Sequence, residues 1–151
     1  MMAFQKTLAE DTEPHGSRIL FANFVMSWAL HAIVSNGVQV IMCTVVETPG
    51  YLRAAEVVFD QAERERIVRI PATGPECGEI IPGTGGFRKI RVARKGMGKR
   101  GGARLIDIER GNAFPVFLIA VYAKNQKENL THSECNQLAK RAVEISSAYG
   151  R

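Results

Sequence analysis

Eight cations and no acid lie within residues 87–104, FRKIRVARKGMGKRGGAR: Arg88, Lys89, Arg91, Arg94, Lys95, Lys99, Arg100 and Arg104. The first part alternates as a strand does, and its middle is a glycine-rich turn. Cations fixed on a sheet beside a flexible loop suit a polyanion, and RNA is the polyanion they suit best. A solvated basic hairpin with no ligand is the competing reading, because charge runs often form solvated faces. The chemistry available to such a cluster is electrostatic: it attracts phosphate and stabilises negative charge that develops on it.

Other chemistries find little support. Cys43, Cys77 and Cys135 are widely spaced and form no CxxC or Cys/His set, so a structural metal site is not expected. Three unpaired cysteines fit a reducing compartment, the cytoplasm. His15, His31 and His132 are scattered, and no His–carboxylate pair follows from their spacing. The glycine loop at 95–102 lacks the GxxxxGK[ST] pattern of a nucleotide-binding P-loop. No cofactor is implied. The chain has 151 residues and a net charge of +5, one domain's worth of sequence with a bias toward anionic partners.

The elements that must position these cations follow from periodicity. Residues 42–47 are apolar and β-branched, a strand. Thr48 caps a helix with Pro49 in its first turn, and Tyr51, Leu52, Ala55, Val58 and Phe59 recur at helical spacing. Asp60 caps a second helix over 61–70, which Pro71 is expected to end. Together they read as a helical hairpin. Residues 73–86, rich in glycine and proline, read as loop. A strand over 87–93 places Phe87, Lys89 and Arg91 on one face and Arg88, Ile90 and Val92 on the other. A strand over 103–109, a turn at 110–113 and a nearly continuous apolar strand over 115–123 follow, the last expected at the centre of the sheet. After a linker at 124–130, Thr131 and Glu134 form a T-x-x-E capping box opening a final helix to about residue 147. The order β-α-α-β-β-β-α implies an α+β domain with a mostly antiparallel sheet.

Residues 1–41 differ from the rest. They carry two cations against three acids, and no charged residue falls between 19 and 46. Three readings compete: a membrane or signal segment, an amphipathic helix with Asn23, Ser27 and His31 as a polar stripe, or an extension upstream of a natural start at Met42. The stripe, the short run and the missing cleavage motif argue against the first, so no membrane partner is expected. The domain is expected to span 42–151.

Four stretches carry a family resemblance: TVVETPGYLRAAE at 44–56, EIIPGTGGFRKIRVAR at 79–94, KRGGARLI at 99–106 and VYAKNQKENLT at 121–131. They resemble the RelE/HigB superfamily of bacterial toxins, and most of all its HigB2-type branch. The resemblance runs from residue 42 to about 145 and leaves out 1–41. It implies a RelE/ParE-like fold, with an N-terminal helical hairpin packed on a small mostly antiparallel sheet and a C-terminal helix. It also implies a cytoplasmic mRNA interferase of a type II toxin–antitoxin system. Such an endoribonuclease cuts mRNA in the ribosomal A site without a metal and inhibits translation. Its partners would be the ribosome and a cognate antitoxin, usually of helix-turn-helix type. Lys89, Arg91 and Arg104 match the family's basic strand and the arginine after its glycine loop, and are the candidate catalytic residues. Lys89 is the candidate proton-transfer group, since an arginine cannot practically deprotonate. Arg88, Arg94, Lys95, Lys99, Arg100, Lys124 and Lys127 are candidate RNA contacts. Tyr122 and Phe87 are candidate base-stacking residues, with a core role competing for Tyr122. Aromatic residues that the family often places around the arginine strand are absent, and Asp107 and Glu109 follow Arg104 instead. With regular alternation the two acids face away from Arg104, and a bulge would bring them onto it. A gyrase poison of ParE type on the same fold, or a decayed RNA- or antitoxin-binding module, remain alternatives.

Overall fold

The computed structural model describes the backbone of residues 33–35 and 38–40, and residues 43–97, 101–111 and 114–149 in full. Strands β1 (Ile33–Ser35) and β2 (Val38–Val40) form a separate antiparallel ladder. Residues 1–32, with the polar stripe of Asn23, Ser27 and His31, lie outside the described residues.

A five-stranded mixed sheet organises the rest. It contains β3 (Val45–Glu47), β4 (Glu79–Ile80), β5 (Phe87–Val92), β6 (Ala103–Ile108) and β7 (Val116–Ala123), in the order β3-β7-β6-β5-β4. All neighbours are antiparallel except β3 and β7, which run parallel. β7 is buried along its whole length, as its unbroken apolar run predicts. It nevertheless lies second in the order, with β6 at the centre.

Helices cover both faces. On one, α1 (Pro49–Val58) and α2 (Gln61–Thr73) pack Tyr51, Ala55, Val58 and Ile67 against Ile90, Leu105, Leu118 and Val121. On the other, α3 (His132–Tyr149) packs Leu138, Ala142 and Ile145 against Phe87, Ile106, Ile108, Phe117 and Ile119. The caps explain where the helices begin. Thr48 Oγ1 accepts from the Tyr51 N–H (3.3 Å) and donates to the Leu118 carbonyl (2.8 Å), tying the start of α1 to β7. Asp60 and Glu63 form a reciprocal capping box at α2.

Two expectations for this region are corrected. Pro71 does not end α2, which continues to Thr73. In the last turn a proline sacrifices one intrahelical hydrogen bond, and the helix closes through the Gly74 N–H on the Ile70 carbonyl. The 73–86 stretch is not all loop, because Glu79 and Ile80 pair with Lys89 and Arg88. Gly78 allows that approach. Its φ is +94°, and a Cβ there would stand 2.9 Å from the Lys89 carbonyl oxygen.

Candidate functional site: a cation strip across β5 and β6

The strand register assembles the strip. β5 and β6 pair so that Arg91 lies directly opposite Arg104, and Lys89 opposite Ile106. β6 and β7 pair Arg104 with Tyr122. Arg91, Arg104 and Tyr122 thus form one row across three strands, with Lys89 one pleat away on the same face. The apolar cluster beneath α3 holds Phe87, Ile106 and Tyr122 from this face and stops short of the cations. Arg91 is exposed, while Lys89 and Arg104 are half-buried. Among the described residues no carboxylate forms an ion pair with Lys89 or Arg104. Arg91 reaches Glu79 at 3.8 Å, a solvent-exposed contact that screening weakens. Glu79 gained no role from sequence spacing, because its segment reads as loop and a loop assigns no face.

The acids after Arg104 do not neutralise it. The β6–β7 ladder carries an irregularity between Ile106 and Asp107, where β6 advances one residue while β7 steps from Ala120 to Leu118. β7 absorbs it: Ile119 and Ala120 both enter the cluster under α3. Alternation along β6 stays intact, so Asp107 falls on the face of α1 and α2, opposite Arg88. It is fully buried, and neither carboxylate oxygen finds a hydrogen-bond partner beyond its own backbone. Burial pushes its pKa up to about 7, against the pull of Arg88. Glu109 lies 3.7 Å from the Arg88 guanidinium.

Arg88 therefore stands apart from the strip. Its guanidinium is engaged by Glu109 and by the Glu76 carbonyl, on the face away from Arg104. Arg94 is held too, donating to the Val58 carbonyl at 3.1 Å, and the Lys95 N–H donates to Glu63 at 2.5 Å. The start of the glycine loop is thus anchored to α1 and α2, with the Lys95 side chain in solvent. Lys99 and Arg100 lie outside the described residues. The Lys124 N–H donates to the Gly102 carbonyl at 2.9 Å, placing Lys124 beside the strip, half-buried.

Three assignments change. Phe87 is fully buried under α3 and has no face open to a nucleobase. Tyr122 is 4 % exposed and also packs in that cluster, so stacking on RNA gives way to the core role. Lys127 is not displayed to solvent either. Its ammonium pairs with the buried carboxylate of Glu134 and lies 5.9 Å from the centroid of the Tyr122 ring. The Tyr122 hydroxyl is pushed up to about 12, first by burial and then by Glu134 and Cys135, with Arg104 acting the other way. Sequence flagged Glu134 only as a capping residue. Nothing in its spacing showed that the same carboxylate meets Lys127.

No helix among the described residues is long and apolar enough to cross a membrane, and no group of three or more His, Cys, Asp or Glu residues there is placed to hold a metal ion. Residues 82–150 match the family model described as RelE toxin of RelE / RelB toxin-antitoxin system. The matched stretch takes in β5, β6, β7 and α3, and with them Lys89, Arg91 and Arg104. The part of the chain that builds the strip is thus similar to a RelE toxin, and this similarity supports a toxin role within a toxin–antitoxin pair.

Proposed function

We propose that this protein is the toxin of a type II toxin–antitoxin system, of the HigB2-type branch, and a ribosome-dependent mRNA endoribonuclease. The observation that carries the reading is the direct pairing of Arg91 with Arg104, with Lys89 on the same face and, among the described residues, no carboxylate in ion-pair contact with Lys89 or Arg104. Like charges directly opposite in a ladder are destabilising. A polyanionic ligand explains why the sheet keeps them.

The bond changes proposed involve the RNA and these side chains, on mRNA presented by the ribosome. The 2′-OH attacks the adjacent phosphorus, a P–O bond forms, and the bond to the 5′-oxygen breaks. The products are a 2′,3′-cyclic phosphate and a 5′-OH end. Arg91 and Arg104 hold the two non-bridging oxygens and stabilise the extra negative charge of the pentavalent species. Lys89 transfers the proton between the 2′-OH and the departing 5′-oxygen, a task a lysine can do and an arginine cannot. Lys124, Lys95 and the loop cations Lys99 and Arg100 hold neighbouring phosphates. The toxin acts in the cytoplasm on mRNA in the ribosomal A site, and a cognate antitoxin of helix-turn-helix type silences it. The domain that does this spans 42–151.

Mapping mRNA 5′ ends after brief expression of the full chain tests the reading. New 5′-OH ends within translated codons are expected for the wild type and not for Arg104→Ala. Intact mRNA in cells arrested by the soluble wild-type protein would overturn it. DNA damage signalling in those cells would point to a gyrase poison instead.

A further inference from the structure

The buried pair behind Tyr122 has no place in that chemistry, although its geometry leads straight to the strip. Glu134 opens α3 in a capping box: its Oε2 accepts from the Thr131 N–H (2.7 Å), and its own N–H donates to Thr131 Oγ1 (3.3 Å). The Thr131 hydroxyl also donates to Oε2 (2.8 Å). The same oxygen pairs with the Lys127 ammonium. The side chains are 1 % and 8 % exposed, so this is a charge pair removed from water. A capping box alone does not call for a lysine, and a buried pair is a poor source of stability compared with apolar side chains. A helix cap and a turn would form without it.

The backbone shows where the pair points. Gln126 and Lys127 both donate to the Ala123 carbonyl, at 3.0 and 3.3 Å, so the chain folds back directly after β7. That reversal carries the Lys127 ammonium over the Tyr122 ring, near the outer limit for a cation–π contact. Tyr122 is in turn the cross-strand neighbour of Arg104. Directly opposed side chains in a ladder are close enough to fix one another's rotamers.

We propose that Lys127 and Glu134 are positioning residues: their buried pair pins the Tyr122 ring, and the ring holds the Arg104 guanidinium in the geometry that receives the scissile phosphate. The proposal rests on the endoribonuclease reading for its activity readout. Lys127 then acts from within the protein rather than on the RNA backbone. Glu134 offsets the charge of the Lys127 ammonium, which therefore does not add to that of Arg104. Proximity of this kind is where small displacements lower turnover without weakening binding.

The test is the full-length double variant Lys127→Met/Glu134→Gln. It removes both charges together, keeps similar volume, and retains a glutamine able to complete the cap. Cleavage of a ribosome-bound mRNA is expected to lose about tenfold or more in kcat, with KM within about threefold of wild type and the melting temperature unchanged or raised. Lys127→Arg, which keeps the charge opposite Glu134, is expected to lose less in kcat than the double variant. Unchanged kcat in the double variant would overturn the proposal. So would a rise in KM at constant kcat, which would make Lys127 a direct RNA contact. The Arg104 Nε–H resonance, read by NMR without ribosomes, separates this proposal from the endoribonuclease reading. If the wild type cleaves nothing, that reading falls. The positioning role then stands if the double variant shifts or broadens the resonance, and falls if it does not.

Discussion

Arg91 and Arg104 face each other across the β5–β6 ladder, two guanidinium-bearing residues in register on neighbouring strands. A cross-strand pair of like charge works against the sheet that holds it. Glu79 offsets part of this at Arg91, but its contact is 3.8 Å long and solvent-exposed. Any reading of the protein has to account for a ladder that accepts this repulsion.

Replacing Arg104 separates stability from activity. Arg104→Gln removes the repulsion and keeps much of the side chain's length. Its melting temperature is expected to equal or exceed the wild type's, by up to roughly 1 kcal/mol in stability. mRNA cleavage is expected to fall by about 10²–10³, the cost of losing one preorganised group that stabilises transition-state charge. Calorimetry beside a cleavage assay reads both. A variant that is markedly less stable and equally active would contradict the assignment of Arg104 to the phosphate.

Asp107 makes stability depend on pH. An unfolded aspartate titrates near 4, and the buried one is pushed up to about 7 by burial, with Arg88 pulling the other way. Between those pH values the folded state binds more protons than the unfolded state. Stability therefore falls as pH rises from about 4 to about 7, and the loss is complete above that. The full effect is at most roughly 4 kcal/mol. Asp107→Asn should flatten this slope and be more stable than the wild type at pH 8, measured by urea unfolding across pH. An unchanged slope would place the titrating group elsewhere.

Single substitutions in the Lys127–Glu134 pair should behave unlike the double one. Lys127→Met leaves a buried carboxylate without its counter-charge, and Glu134→Gln leaves the ammonium. Each is expected to cost about 3–5 kcal/mol, while the double variant returns to wild-type stability or above it. A thermodynamic cycle on unfolding free energies gives the coupling directly. Additive losses would mean that the two charges do not sense each other. The pH dependence has a sign as well. Burial works against the charged form of Glu134, but hydrogen bonds from Lys127 and Thr131 outweigh it and hold the pKa below the ordinary carboxylate value. This contribution is present above that ordinary value and is lost as pH falls through the lowered one.

Gly85 sets how α3 sits on the β4–β5 turn. Its φ is +74°, and a Cβ would stand 2.9 Å from the Ala142 Cβ. Gly85→Ala is expected to cost about 1–3 kcal/mol from the left-handed backbone alone, with the contact adding to it. Adding Ala142→Gly should recover only the contact part, and thermal unfolding of the three proteins would show it. Full recovery by Ala142→Gly would mean that backbone strain contributes nothing there.

Sequence determined the elements. Apolar alternation located β5 and β6, the unbroken apolar run located β7, and Thr48–Pro49, Asp60 and the pair Thr131–Glu134 marked three helix starts, because capping chemistry is local and leaves a local trace. It also placed Lys89 and Arg91 on one face, since period two along a strand needs no partner to be read. What it missed depends on partners distant in the chain. Whether Asp107 faced Arg104 turned on a bulge that only the β6–β7 pairing reveals, and β7 absorbs it at Ile119. Whether Arg88 was free turned on Glu76 and Glu109. Phe87, Tyr122 and Lys127 looked available for RNA until α3 folded over that face and buried them. Register and burial are set by long-range packing, so only the tertiary structure showed that Arg91 and Arg104 stand directly opposite each other and that Arg88 and Arg94 are engaged elsewhere.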